Sequence, residues 1–388
     1  MRKFALAAAG LVAAGLMSSV AVGQTRGVTK SEILLGSHTD LSGPAATYGV
    51  SSTNGARMRF DAVNAAGGIH GRKIKLILED AQYQVPKAVQ ACNKLINRDK
   101  VFGFIVAIGT PMNNACFQSQ LSANVLSLFP ITAARSMYEP LHKLKFQANA
   151  SYVDQVRAGV NYMVKQKGKK AVCVMYQDTD FGKEVFEGVE LQAKQLGLKI
   201  VETTTHKPTD QDFSAPITKL RAANCDLVVL GTIVRDSIVP YATARKMGWN
   251  EVDFLGSSAT YDVFVAAAQG TEGLYTMGLA EMPYADSPNA AMRDFVAQYK
   301  ERFGQMPNMG AVYGYTAADL TVAALDKAGP NLTVDSFVKA MESIQGFRDR
   351  FGGPELSFSA EKHLGSHQAF LVVSKGGKWV PLTEPLGF

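Results

Sequence analysis

The sequence predicts an α/β fold of two doubly wound lobes. Short apolar segments typical of β-strands alternate with segments in which apolar residues recur every three or four positions, as in helices. This alternation runs through residues 33–129 and restarts near Ala171. The chain of 388 residues is also longer than one hydrophobic core usually serves.

The first run begins with a short strand and a helix. Apolar residues recur at helical spacing between Ala56 and Val63, and Gly67-Gly68 ends that helix. Pro86 begins a second helix, because proline is well tolerated in the first helical turn. A third helix separates the last two strands. The strands of this run are predicted at residues 33–36, 74–78, 101–108 and 125–129.

The second run repeats the alternation, and the C-terminal third departs from it. The run has strands at residues 171–176, 198–203, 226–230 and 254–255, with helices at 183–196, 213–223 and 237–247. Three helices follow, at 288–303, 310–328 and 334–344, before a hairpin of residues 369–373 and 379–380 around Gly376-Gly377.

A C-terminal third without a sheet of its own must pack on the earlier lobes. We therefore expect a chain that crosses between the lobes more than once. The expected first lobe is residues 24–149 plus 278–354, and the expected second lobe is residues 150–277 plus 355–388.

The N-terminal residues have the pattern of an export signal. The basic pair Arg2-Lys3 precedes an apolar segment, Phe4–Val20. Ala21-Val22-Gly23 places small residues where a signal peptidase cleaves, so we expect residues 1–23 to be removed. The alternative is a membrane anchor, for which the apolar segment is short. No cysteine lies near the cleavage site, as a lipid-anchored form would require.

Charge and cysteine content restrict the partners and the compartment. The formal net charge is +6, and the densest basic segment, residues 167–170, is typical of a solvated helix end, so we expect no nucleic-acid partner. An even number of cysteines in an exported chain permits disulfides. Their placement favours one pair in each lobe, and free buried thiols are the alternative. The cysteines are Cys92, Cys116, Cys173 and Cys225.

The sequence contains no recognisable catalytic or metal-binding motif. It lacks the glycine-rich phosphate loops and the G-x-S-x-G nucleophile turn. His363 and His367 are close in sequence, but Gly365 and the strand that follows argue against a helical pair of metal ligands. Asp178 and Asp180 are more typical of helix capping than of an acid–base pair. We predict a binding protein with no enzymatic activity, cofactor or metal.

Polar loops that follow predicted strands indicate a binding cleft. Ligands of open α/β sheets bind at the carboxyl ends of the strands, where helix N-termini favour anions. Thr110 and Thr132 each offer a hydroxyl and a backbone N–H to a carboxylate, and Ala133 and Ala134 add N–H groups. For a single threonine, a plain helix cap is the alternative interpretation. Aromatic walls are expected from Tyr48, Tyr152 and Phe181.

Five motifs occur in an order typical of one family. They are Leu41–Gly49 (LSGPAATYG), Asn64–Arg72 (NAAGGIHGR), Ala91–Ile96 (ACNKLI), Asp180–Gly182 (DFG) and Asp210–Phe213 (DQDF). Over nearly the whole mature chain they resemble the leucine/isoleucine/valine-binding-protein family, which are type I periplasmic solute-binding proteins of ABC importers. The resemblance implies two Rossmann-like lobes, joined by a hinge of three crossovers, that close on a ligand. It also implies a periplasmic location and ABC permease subunits as membrane partners.

The resemblance assigns ligand-binding roles by position. Thr110 matches the hydroxyl residue that binds the ligand carboxylate in this family. Residues Ile131 to Ala134 match the second carboxylate-binding loop. Tyr48 and Phe181 match aromatic positions of the pocket.

Three positions depart from the pattern of amino-acid binders in the family. Ser258 stands where an acidic residue holds the ligand ammonium, and Tyr152 stands at the other acidic position. Ile233 occupies an aromatic position, with Arg235 nearby. Because a buried ammonium without a carboxylate is costly, we expect a carboxylate ligand with an aromatic or aliphatic body and no α-ammonium. Arg235 would assist with its charge.

The sequence therefore predicts a monomeric substrate-binding subunit of an ABC importer that captures a small organic acid by lobe closure. One alternative is binding of a branched-chain amino acid or amide. A second is a sensory receptor that presents the same closed state to a chemoreceptor or kinase. An α/β enzyme is the third.

Overall fold

The computed structural model of the protein describes residues 25–387. The expected export signal at residues 1–23 lies outside this range. Among the helices described, none is both long and apolar enough to cross a membrane. The described chain forms two sheets of mostly parallel strands with helices packed on them, which confirms the predicted α/β class and the two doubly wound lobes.

The first sheet has five parallel strands in the order β2-β1-β3-β4-β5. The helices of this lobe connect β1 to β2, β2 to β3 and β3 to β4, as predicted. A single π-helical turn, Lys94–Arg98, continues the second of them. The elements are β1 (Glu32–Thr39), α1 (Ala46–Ala65), β2 (Lys73–Asp80), α2 (Val85–Asn93), β3 (Gly103–Ile105), α3 (Thr110–Ser122), β4 (Leu126–Leu128) and β5 (Lys145–Phe146).

The second sheet has seven strands in the order β12-β11-β10-β9-β8-β6-β7. Strands β6 to β10 are parallel, and the C-terminal hairpin adds β11 and β12 in antiparallel pairing. The elements are α4 (Tyr152–Lys167), β6 (Val172–Gln177), α5 (Asp180–Gln195), β7 (Thr203–His206), α6 (Ser214–Ala222), β8 (Leu227–Gly231), α7 (Val234–Lys246), β9 (Asp253–Gly256), α8 (Val263–Ala267), β10 (Tyr275–Gly278), β11 (Phe370–Lys375) and β12 (Lys378–Pro381).

Three helices of the C-terminal third lie between β10 and β11: α9 (Ala290–Phe303), α10 (Met309–Ala328) and α11 (Val334–Glu342). Helix α10 runs against α1 with the two backbones in close contact. A Cβ atom on Gly314 would lie 1.9 Å from the carbonyl oxygen of Ser52, and one on Gly55 would lie 2.0 Å from that of Ala311. Only glycine at these two positions permits the two helices to approach so closely.

Residues of the C-terminal third also complete the core of the first lobe. Phe337 of α11 packs edge-to-face on Phe102, and Phe358 packs on Phe146. Leu356 and Phe358 belong to this core. The lobe boundaries remain a prediction.

Some elements differ from their predicted positions. Strand β7 begins at Thr203, near the end of the predicted segment 198–203. The earlier part carries apolar residues but leaves Val201 48% exposed, and strand pairing with β6 starts only at Thr203. Helix α4 and the short strands β5 and β10 were not predicted.

Both pairs of cysteines form disulfides, Cys92–Cys116 in the first lobe and Cys173–Cys225 in the second. This is the pairing that their placement favours. The first bond joins α2 to α3, and the second joins β6 to the turn between α6 and β8.

Candidate functional site

A cavity lies between the two sheets at the carboxyl ends of their strands. It is lined by residues that follow β1 to β5 in the first sheet and β6, β8, β9 and β10 in the second. It encloses about 1060 Å³, including the part that is open to solvent. This is the place where an open α/β sheet binds small ligands.

The loop after β1 is held by a buried carboxylate. Asp40 accepts hydrogen bonds from the backbone N–H groups of Gly43 at 2.5 Å and Ala45 at 2.7 Å. This fixes the start of α1 and places Tyr48 of its first turn at the cavity. Asp40 therefore acts on the site by shaping the loop rather than by contacting the cavity.

A second carboxylate joins this loop to the loop after β2. Asp80 accepts hydrogen bonds from the N–H of Leu41 at 2.9 Å, the hydroxyl of Ser42 at 2.6 Å and the N–H of Gln82 at 3.0 Å. Partial desolvation acts to raise the pKa of Asp80, but these hydrogen bonds outweigh it, and the pKa is lowered. The paired loops bring Tyr83 to the cavity wall.

Two threonine hydroxyls meet at the N-terminus of α3. The Oγ1 atoms of Thr110 and Thr132 lie 2.6 Å apart, and both residues are buried. Gly109 precedes Thr110 with φ +91°, a conformation that favours glycine. Asn113 stabilises this turn by donating to the carbonyl oxygens of Ala107 and Gly109. The free N–H groups of the first helical turn and the two hydroxyls form a site suited to an anion.

Aromatic and apolar side chains of the second lobe form the opposite wall. Tyr152, at the start of α4, packs edge-to-face on Phe181 of α5, with ring centroids 4.9 Å apart. Ile233 lies next to the start of α7. Ser258 follows β9, and its backbone N–H donates to the side chain of Gln155 at 2.8 Å.

Hydrogen bonds and ion pairs join the lobes around the cavity. The Tyr48 hydroxyl donates to the carbonyl oxygen of Tyr261 at 2.7 Å. Asn114 of α3 donates to Asp180 of α5 at 2.8 Å. Arg135, which follows β4, pairs with Glu184 at 3.1 Å and also with Glu187 of the same helix. These contacts hold the two lobes together across the cleft.

The cavity is electrically almost neutral. Among residues 25–387, no lysine, arginine or histidine lines it, and Asp349 is the one charged side chain there. Burial raises the pKa values of its four tyrosines above the ordinary range, so their hydroxyls stay protonated as hydrogen-bond donors. They are Tyr48, Tyr83, Tyr152 and Tyr313.

Comparison with known proteins places this architecture in a family. The model of the periplasmic binding protein family matches residues 32–378. The chain belongs to the periplasmic binding protein family. Such proteins bind small molecules outside the cytoplasm and work with the membrane permeases of ABC transporters.

The relatives of this periplasmic binding protein are named for different ligands. Leu/Ile/Val-binding protein homolog 7 of Brucella abortus is 24% identical over 310 residues, with 76% of this chain and 77% of the relative covered. The structure of a fatty acid ABC transporter substrate-binding protein from Thermomonospora curvata is 25% identical, with a TM-score of 0.84 and 94% and 95% coverage. A branched-chain amino acid ABC transporter from Thermus thermophilus with bound valine shares the fold at 20% identity, a TM-score of 0.83 and 93% and 98% coverage.

Most of the site residues predicted from the sequence meet at the cavity of this periplasmic binding protein. Those that line it are Tyr48, Thr110, Ile131, Thr132, Ala133, Tyr152, Phe181, Ile233 and Ser258. Two predicted residues do not line it. Ala134 is fully buried in the core of the second lobe. Arg235 is directed elsewhere, because its guanidinium binds the buried Asp236 at 2.5 Å and the carbonyl oxygen of Pro208 at 2.8 Å.

Several residues of the cavity wall were not predicted. Tyr83 follows β2, and a strand-end tyrosine is a signal that the sequence did offer. Tyr313 and Asp349 come from α10 and the loop after α11, and only the tertiary packing of the C-terminal third brings them to the cavity. The Tyr313 hydroxyl has no hydrogen-bond partner within the described chain. Asp349 accepts from the N–H groups of Phe351 and Gly353, both at 2.9 Å, and from Thr316 at 3.3 Å.

Proposed function

We propose that this periplasmic binding protein captures a small organic acid with an aromatic or aliphatic body and no α-ammonium group. It delivers this ligand to the permease subunits of an ABC importer. The observation that carries the proposal is the pair of hydroxyls of Thr110 and Thr132 at the N-terminus of α3, which faces a cavity with aromatic and apolar walls.

A carboxylate at this position needs no basic side chain. The positive end of the α3 dipole and the free N–H groups of its first turn favour a negative charge. Of the two hydroxyls that lie 2.6 Å apart, one donates to the other, and the second hydroxyl hydrogen remains available to the ligand. Gly109 permits the positive φ of +91° at which the chain enters this turn.

The other walls suit the body of an aromatic or aliphatic acid. Tyr83, Tyr152, Phe181 and Ile233 surround the space next to the threonine pair. Burial of apolar ligand surface against such side chains is the main favourable term in binding. The fatty acid-binding relative from Thermomonospora curvata supports an aliphatic acid as one form of this ligand.

The wall residues argue against an ammonium group on the ligand. Neither Ser258 nor Tyr152 carries the negative charge that the corresponding positions of amino-acid binders supply. Within residues 25–387, Asp349 is the one acidic side chain at the wall, and each of its oxygens already accepts a hydrogen bond from the protein. A buried ammonium would therefore lack a dedicated partner.

Binding of a branched-chain amino acid is the second candidate function. It is favoured by the name of the Brucella abortus relative and by the carboxylate of Asp349. In this case Asp349 would exchange its bond from Thr316 for one from the ligand ammonium.

Matched pairs of ligands test the two candidates by titration calorimetry. Each pair differs only in the α-ammonium: leucine against 4-methylpentanoate, and phenylalanine against 3-phenylpropanoate. We expect the acid without ammonium to bind at least about a hundredfold more tightly in at least one pair. In thermal unfolding, such an acid at a hundred times its Kd should stabilise the protein by about 2.7 kcal/mol.

Tight binding of leucine, with both acids silent, would overturn the proposal. Asp349→Asn then tests the amino-acid alternative, because loss of leucine binding in this variant would identify Asp349 as the partner of the ammonium. Native mass spectrometry of the protein as purified provides an independent check, since a co-purified ligand reports its own mass.

A further inference from the structure

A second cluster of chemically active side chains lies in the first lobe, outside the ligand cavity. It consists of His38 at the carboxyl end of β1, Cys92 of α2 and Cys116 of α3. The possible ligand atoms of the three side chains, the ring nitrogens and the two Sγ atoms, all lie within 4.8 Å of one another. None of the three residues lines the cavity.

The polar atoms of His38 make no contact that would explain a histidine at this buried position. The residue is fully buried, and neither ring nitrogen has a hydrogen-bond partner within residues 25–387. Its ring lies edge-on to Phe104, with centroids 5.7 Å apart. The surroundings of the cysteines are apolar, and they include Leu95, Ile96 and Val101. A buried imidazole without partners is costly, so its presence beside two sulfur atoms suggests a further state in which it is bound.

We propose that reduction of the Cys92–Cys116 disulfide creates a Zn²⁺ site in which both cysteine sulfurs and one ring nitrogen of His38 are the protein ligands. Two thiolates and one neutral imidazole are ligands that Zn²⁺ prefers. The two thiolates balance the charge of the ion, so the completed site is neutral, as a fully buried site requires. Thiolates also select this ion over Mg²⁺ and Ca²⁺.

The geometry requires only small movements of the side chains. At ordinary Zn–S and Zn–N bond lengths, tetrahedral ligand atoms lie about 3.5 to 3.8 Å apart. The sulfurs must therefore separate once the disulfide is broken, and a ring nitrogen of His38, which lies within 4.8 Å of both sulfurs, must come slightly nearer where it exceeds this spacing. The carbonyl oxygen of Ala88 lies 3.6 Å from the Sγ of Cys116 and, with water, is a candidate for the fourth position.

Electrons and protons balance in two steps. A dithiol reduces the disulfide by exchange, so that the two cysteines become thiols and the dithiol becomes a disulfide. Binding of Zn²⁺ then releases the two thiol protons to solvent. In the test, a phosphine replaces the dithiol, takes the oxygen of one water molecule and becomes the phosphine oxide, because dithiols compete for metal.

The second disulfide of the protein provides a matched control. Cys173→Ser/Cys225→Ser leaves only the pair next to His38, and Cys92→Ser/Cys116→Ser leaves only the pair without a neighbouring histidine. Both variants are reduced with the phosphine and titrated with Co²⁺, whose thiolate complexes absorb strongly in the near ultraviolet. Zn²⁺ is then added to displace the Co²⁺.

We expect the reduced Cys173→Ser/Cys225→Ser variant to bind one Co²⁺ per chain, and Zn²⁺ to displace it. The same variant should bind no Co²⁺ before reduction. The control variant, Cys92→Ser/Cys116→Ser, should bind none in either state. Addition of His38→Ala to the first variant should weaken metal binding at least about tenfold. Equal binding by the control variant, an unchanged affinity after His38→Ala, or no binding by the reduced chain would each overturn the proposal.

Circular dichroism covers the case in which the reduced chain unfolds. There, Zn²⁺ should restore the folded spectrum of Cys173→Ser/Cys225→Ser but not that of the same variant with His38→Ala. Failure of Zn²⁺ to restore the spectrum of the former would also overturn the proposal.

Discussion

The hydroxyl of Tyr48 donates a hydrogen bond to the carbonyl oxygen of Tyr261 at 2.7 Å, and this bond joins the first lobe to the second. The same hydroxyl lies 3.5 Å from the carbonyl oxygen of Ser258, and the Tyr48 side chain also lines the ligand cavity. Tyr48 therefore both joins the two lobes and forms part of the cavity wall.

Replacement of Tyr48 by phenylalanine should weaken ligand binding about three- to tenfold. The ring remains to line the cavity, and the bond to Tyr261 is lost; a typical intramolecular hydrogen bond contributes about 0.5–1.5 kcal/mol. Stopped-flow measurement should show the change mainly as faster ligand dissociation, since the bond holds the two lobes together beside the cavity. An unchanged dissociation rate in Tyr48→Phe would show that the bond has no part in retaining the ligand.

Replacement of Thr110 by valine should reduce the affinity for a carboxylate ligand about 10- to 100-fold. Valine keeps the shape of threonine and removes one hydroxyl, and hydrogen bonds to charged groups contribute about 1.5–3 kcal/mol. Thr110→Ser retains the hydroxyl and should stay within about threefold of the native affinity. Calorimetry compares the three proteins, and equal losses in the two variants would contradict a role for the hydroxyl.

The stability of the protein should fall as the pH rises from about 4 to about 7, in part because of one buried carboxyl. Asp262 is fully buried, one of its oxygens has no partner within the described chain, and burial raises its pKa to about 7. The folded state therefore keeps a proton that the unfolded state releases above pH 4. The stabilisation is fully present below the unfolded pKa and is lost as the pH rises through the folded one.

Asp262→Asn should flatten this part of the pH profile. A pKa shift of one unit corresponds to about 1.4 kcal/mol. The difference in free energy of unfolding between the native protein and the variant should therefore change by no more than about 4 kcal/mol between pH 4 and pH 8. Urea denaturation at a series of pH values measures it. If the free energies of unfolding of the two proteins change in parallel with pH, Asp262 would have the same pKa in the folded and the unfolded state, which contradicts the prediction.

Loss of the Cys173–Cys225 disulfide should lower the free energy of unfolding by about 2–4 kcal/mol, because it restores conformational freedom to the unfolded chain. The two cysteines are 52 residues apart in sequence, and Cys92 and Cys116 are 24 apart. Chain entropy predicts a loss about 0.7 kcal/mol smaller for Cys92→Ser/Cys116→Ser. Denaturant titration of both double variants checks the order, and a larger loss for the shorter loop would exclude a purely entropic effect.

Local patterns of the sequence were sufficient for the two lobes and for the threonine pair. Thr110 and Thr132 follow neighbouring strands, so the order β3-β4 in the sheet brings them together. The position of Arg235 was not predictable in this way, because the buried Asp236 beside it takes up the guanidinium. Tyr313 and Asp349 depend on packing between segments far apart in sequence, which no local pattern encodes.

The C-terminal third of the chain contributes to the cores of both lobes. Helices α10 and α11 complete the core of the first lobe, and β11 and β12 complete the second sheet. Neither lobe can therefore finish its core while residues 309–381 are still being synthesised. The two lobes therefore depend on the same C-terminal segments, so truncation before residue 309 would leave the cores of both lobes incomplete.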